Sequence, residues 1–201
     1  MDKKVLKFST YKRERSDLMC KILKELQGKT AESLLIKYDI LNAPPIDIDL
    51  LLKKIGITAV PVDFSPIESK VNIPDGSILG ATVSEGENLS IFYKVDATEN
   101  RRRFTIAHEI AHCCLHTENL IDHHIELRDN LTSLSGKEYD ANVFAGSLLI
   151  PEDALKVVYK QLIVPSLETL SRIFRVSTTV MVARLDYLKM PYLKDIDINE
   201  A

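Results

Sequence analysis

The chain has 201 residues, 45% hydrophobic and 27% charged, a balance that excludes a disordered polymer and supplies enough apolar material for one good core. Its formal net charge of -3 gives no overall basic field for nucleic acid or anionic lipid, so a nucleic-acid role would need a local patch such as Arg101, Arg102 and Arg103. Three cysteines are too few for a disulfide scaffold, the first residues lack the apolar segment of a signal peptide, and no apolar run is long enough to cross a bilayer. The expectation is reduced chemistry in the cytoplasm, away from membranes.

From about Ser16 to Leu41 apolar residues recur at helical spacings, with Gly28 placed to break the run in two. The two prolines of Asn42-Ala43-Pro44-Pro45 stop that helix, because proline lacks the amide donor and clashes with helical backbone before it. In IDIDLLLKKIGI a further helix follows, capped by Asp47 or Asp49 and ended by Gly56. The β-branched stretch ITAVPVDF predicts a short strand, at a sheet edge because of Pro61. Ile78 to Val83 and Leu89 to Tyr93 predict two more strands, joined by a turn at SEGEN. Cap candidates lie between Asp96 and Asn100, and from Arg101 through His116 the period becomes helical.

Glu118 to Lys137 is polar and mixed. Glu138 to Leu149 predicts a helix with Ala141, Phe144, Ala145 and Leu148 inward, stopped by Pro151. Three helical pieces follow, PEDALKVVYKQL, PSLETLSRIF and STTVMVARLDYLKM, with Pro165 and Ser177 at helix starts; the last eleven residues read as a loosely held tail.

Three of the five histidines fall within FTIAHEIAHCCLH, residues 104–116. His108 and His112, four apart on one helix, project from the same face and can grip one zinc ion, while Glu109 lies beside them where it can take a proton from water. The bland alternative makes them ordinary core or surface histidines, a reading that suits one histidine better than a pair at this spacing. His116 extends the stripe, but it lies about 12 Å from His108 along the axis, too far for one ion with bonds of about 2 Å. It is expected to pack or hydrogen-bond nearby.

The third ligand must come from another element. Glu138 is the candidate, since it shares a helix face with Asn142 next to the inward positions; Asp140, with its shorter reach, is the runner-up. The alternative reading of Glu138 is an exposed carboxylate stabilised by the helix dipole. Two histidines and a glutamate would leave one coordination position open, as a catalytic site requires.

RRRFTIAHEIAHCCLH followed by EYDANVFAGSLLIP resembles the ImmA/IrrE family of zinc metallopeptidases, and PPIDIDLLLKKIGI is similar to that family's opening helix. The resemblance covers roughly Thr30 to Pro151. It implies an α+β fold, with a mostly helical, zincin-like core, a small three-stranded sheet and a C-terminal segment similar to a helix-turn-helix. It also implies His108, His112 and Glu138 as zinc ligands and Glu109 as general base, with a partner helix-turn-helix repressor as substrate. The expected organisation is an extension at 1–29, a peptidase core at 30–151, a helical segment at 152–190 and a tail at 191–201. DNA binding by the C-terminal helices is weakly supported, because only Arg172, Arg175 and Arg184 offer positive charge there; packing or substrate docking suits them better.

Oxyanion stabilisation could come from His116, Asn142 or an arginine. Cys20 could in principle act as an inhibitory fourth ligand, although a small buried hydrophobe is the simpler reading. Two rival functions stand beside the peptidase: a non-catalytic regulator of DNA or a repressor with a structural zinc, and a toxin or antitoxin component without zinc. Neither has a use for Glu109.

Overall fold

The computed structural model describes residues 20–117 and 136–193. Within them the chain forms an α+β fold in which helices pack around a small mixed sheet. The N-terminal helical stretch breaks where glycine was expected to break it. Helix α1 (Lys21–Leu26) ends before Gly28, which adopts φ 73°, and α2 (Ala31–Lys37) starts from a reciprocal cap between Thr30 and Ser33. The Gly28 amide donates to the Cys114 carbonyl at 2.8 Å, tying this turn to the helix of the histidine motif. Residues 16–19, where the expected helix begins, lie outside the described residues.

Helix α3 (Ile48–Ile55) is capped by Asp47, whose Oδ1 accepts from the Leu50 amide at 2.8 Å, and it closes at Gly56 with φ 90°. Strand β1 (Thr58–Val62) follows. It leads to a helix the sequence reading did not expect, α4 (Ser65–Val71). Its SPIESKV is too short and too polar for a periodic signal. Its buried Glu68 receives the amides of Gly76 at 2.8 Å and Ile78 at 2.6 Å, which hold that carboxyl below its usual range and steer the chain into β2.

Strands β2 (Gly80–Glu85) and β3 (Asn88–Lys94) form an antiparallel hairpin through Gly86 and Glu87, and β1 joins β3 in parallel. The order β1-β3-β2 leaves β1, with Pro61, at one edge as expected, and β2 at the other.

Helix α5 (Glu99–Leu115) carries the histidine motif and is capped by Thr98. Its largest contact is with α6 (Gly136–Leu149). Both helices bring small, fully buried residues, Ala107 and Ala111 on one and Ala141 and Ala145 on the other, which allow close approach of two backbones. Helices α7 (Glu152–Gln161), α8 (Leu167–Phe174) and α9 (Thr178–Tyr187) complete the described chain, with α8 and α9 capped by Ser166 and Ser177. Pro165 precedes the cap of α8 and does not start the helix. The expected loose tail is partly held: Tyr159 Oη donates to the Pro191 carbonyl at 2.6 Å, and Ser166 bridges to Leu193. Residues 194–201 lie outside the described residues. Among the described residues, no helix is long and apolar enough to cross a membrane.

The triple arginine does not form a free basic patch. Arg102 makes a two-pronged ion pair with Asp49 at 2.9 and 2.7 Å, and Arg103 is buried, donating to the carbonyls of Ile46 at 2.9 Å and Arg175 at 3.2 Å. Arg184 is likewise buried, with Nε on the Ile150 carbonyl at 3.0 Å. Arg102 and Arg103 brace the fold by linking α5 to the N-terminal elements and to the turn after α8, and Arg184 ties α9 to the end of α6.

Candidate metal centre

Helix periodicity sets His108 directly above His112, and their Nε2 atoms face each other at 3.0 Å. The first turn of α6 brings Glu138 across the gap between the helices. Its Oε2 lies 3.3 Å from His108 Nε2 and its Oε1 3.4 Å from His112 Nε2. One ligand atom from each of the three residues falls within 4.8 Å of the others. Bonds of about 2.0–2.2 Å to a tetrahedral zinc would set ligand atoms about 3.3–3.5 Å apart, so these separations suit one ion held by the two imidazoles and the carboxylate. Asp140, the runner-up, is exposed and outside the group.

The surroundings orient the imidazoles. His108 Nδ1 lies 3.0 Å from Asn142 Oδ1, so the ring donates there and leaves the Nε2 lone pair directed at the gap. Asn142 lies one turn after Glu138, which makes α6 the source of both a ligand and an orienting partner. Burial, and then the neighbouring His108, hold the pKa of His112 below 6.5 and keep it unprotonated, as metal binding requires. His116 is buried and its Nε2 lies 3.2 Å from the Lys137 carbonyl, tying the end of α5 to the residue before Glu138. It is a nearby packing and hydrogen-bonding residue, as the axial distance required. Of the side chains named as oxyanion donors, His116 is engaged through Nε2, and Asn142 through its acceptor Oδ1 rather than its donor Nδ2.

Glu109 is 4% exposed and turns toward the sheet, where Thr82 Oγ1 donates to its Oε2 at 2.6 Å. Gly80, two residues earlier on β2, makes room for it: a Cβ there would stand 2.5 Å from Thr105 Cγ2 and 2.9 Å from Glu109 Oε1. Sequence reasoning missed Thr82 and Gly80, because no local pattern says which strand lies under a helix. The apolar run ILGATV indicated a strand, without indicating its neighbour.

The cysteines stand apart from the ligand group. Cys20 is 1% exposed within the apolar core among α1 residues, which supports the small-hydrophobe reading over the inhibitory ligand. Burial pushes the Cys113 thiol well above its ordinary value and the Cys114 thiol up to about 12. All three are free thiols.

Two histidines and a carboxylate converging from packed helices form a group that could hold a metal ion, with a further buried carboxylate next to the first histidine. The family comparison agrees. A model described as the IrrE N-terminal-like domain of the Peptidase M78 family matches residues 67–186, and the chain belongs to this family of metallopeptidases. The matched span runs from α4 to α9, so it takes in both helices of the site and the three C-terminal helices. No curated protein matches the sequence.

Proposed function

We propose that the protein is a zinc-dependent endopeptidase in which His108, His112 and Glu138 hold the ion and Glu109 is the general base, and that it cleaves a partner repressor of the helix-turn-helix kind. The observation that carries this reading is the 3.0–3.4 Å spacing between the two Nε2 atoms and the two oxygens of the Glu138 carboxylate, which suits a small ion bound by nitrogen and oxygen. A zinc ion there would supply Lewis acidity, acidifying a water and polarising a peptide carbonyl.

The chain's own residues do the rest. Asn142 holds His108 in the ligating tautomer, and the Lys137 carbonyl and His116 fix the turn that presents Glu138. The Glu109 carboxylate takes the proton from the attacking water and returns it to the leaving nitrogen, with Thr82 holding its other oxygen in place. A repressor substrate is what the family resemblance implies, and the free thiols support a cytoplasmic site of action.

The test compares the intact protein with Glu109→Gln for zinc content and for cleavage of repressors encoded beside this gene. Zinc in both, with cleavage by the intact protein alone, is the expected result. Zinc in both and cleavage in neither would favour the non-catalytic regulator, and zinc in neither would overturn the ligand assignment.

A further inference from the structure

Two cavities lie side by side near the metal centre. The first, of about 810 Å³, lies between α5, α6 and α9 and touches the site through Phe104, Thr105 and Asn142; Leu79, Val143, Val180 and Ala183 make its walls mainly apolar. The second, of about 1150 Å³, runs between α2, α6 and the start of α7. Tyr139, Val143, Arg184 and Tyr187 line both, so the two lie side by side along α6 and α9.

Their chemistry differs. The second cavity is bordered by five carboxylates, Glu32, Asp39, Asp140, Glu152 and Asp153. Asp39 is 3.7 Å from Lys54 and Glu152 pairs with Lys156, but Glu32, Asp140 and Asp153 have no ion pair among the described residues. Arg184 is the one lysine or arginine lining it among the described residues, and its guanidinium is buried against the Ile150 carbonyl. Ile36, 73% exposed, and Tyr139, 53% exposed, add apolar surface between the acids.

We infer that these two adjacent cavities select the substrate: the one beside the metal centre receives an apolar side chain next to the scissile bond, and the acidic groove receives a lysine- or arginine-bearing stretch of the same protein segment. The inference rests on the peptidase reading, and it assigns α9 a wall of the substrate cleft. Complementary charge across an otherwise apolar groove favours basic segments and rejects acidic ones, which would meet uncompensated carboxylates.

The test uses the full-length, zinc-loaded Glu109→Gln protein and two dye-labelled peptides of equal length, one alternating leucine with lysine and one alternating leucine with glutamate. Fluorescence anisotropy should show the lysine peptide bound at least about tenfold tighter, as three modest ion pairs together supply, with the preference shrinking as salt rises. The combined variant Glu32→Gln, Asp140→Asn, Asp153→Asn should abolish the preference. Asp140→Asn alone, on an exposed helical position, should reduce it and guards against misfolding of the triple variant. In the protein retaining Glu109, the same changes should raise KM for a basic substrate and leave kcat unchanged. Equal affinity for the two peptides, or a preference that survives neutralisation, would overturn the inference. So would loss of self-association in the triple variant with peptide affinity unchanged, which assigns the groove to a second copy of the chain. A charge preference in binding without cleavage by the intact protein would uphold the groove and refute the peptidase.

Discussion

Gly80→Ala tests whether strand β2 positions the general base. The new methyl group would stand 2.5 Å from Thr105 Cγ2, 2.9 Å from Glu109 Oε1 and 3.4 Å from the Phe92 carbonyl oxygen. Carbon atoms rest at about 3.5–4.0 Å, so β2 and α5 must part by about 1 Å, or the two side chains must turn away. Thr105 is β-branched and buried, which leaves it little freedom to turn. Overpacking of this kind costs about 1–3 kcal/mol, and in a protein of this size each kcal/mol lowers the melting temperature by about 2–4 °C. A displacement of about 1 Å at a catalytic carboxylate costs about 10²-fold in rate. The assay is turnover of dye-quenched casein by zinc-loaded protein, with thermal melting and zinc content measured on the same sample. The expected variant binds zinc normally, melts several degrees lower and loses about two orders of magnitude in kcat. A lowered melting temperature with unchanged kcat would refute the argument, because strand packing would then be separate from the placement of Glu109.

Asn142→Ala removes the acceptor at His108 Nδ1 and should weaken zinc binding about 10–100-fold in competition with a chelator, while leaving the fold intact. Arg103→Met strips the buried carbonyls of Ile46 and Arg175 of their donors; denaturant unfolding should show a loss of about 2–4 kcal/mol with zinc stoichiometry unchanged. Burial lowers the His112 pKa below 6.5, so below that pH the unfolded chain takes up a proton that the folded chain refuses. Stability of the metal-free protein should therefore be full above about pH 6.5 and fall as the pH drops below it, and His112→Gln should flatten the dependence in urea midpoints.

Local chemistry was legible wherever neighbours in sequence are neighbours in space. Gly28 broke the first helical run, Asp47 and Gly56 bounded α3, Ser177 capped α9, and the four-residue spacing of His108 and His112 put two ligands on one face. The same rule denied His116 a place in the group, because rise per residue is a property of the helix alone. Helix α4 escaped notice because its stability comes from a buried carboxylate that binds amides eight and ten residues away.

What the sequence determined by itself was therefore the periodic elements, the paired histidines and the adjacent carboxylate. The choice of Glu138 over Asp140, the engagement of Arg102, Arg103 and Arg184, and the seat of Glu109 against Gly80 and Thr82 were decided by tertiary structure. The physical reason is range: helix caps and periodicity act within a few residues, whereas these contacts join residues roughly thirty or more apart, held together only by burial of the core between α5, α6 and the sheet.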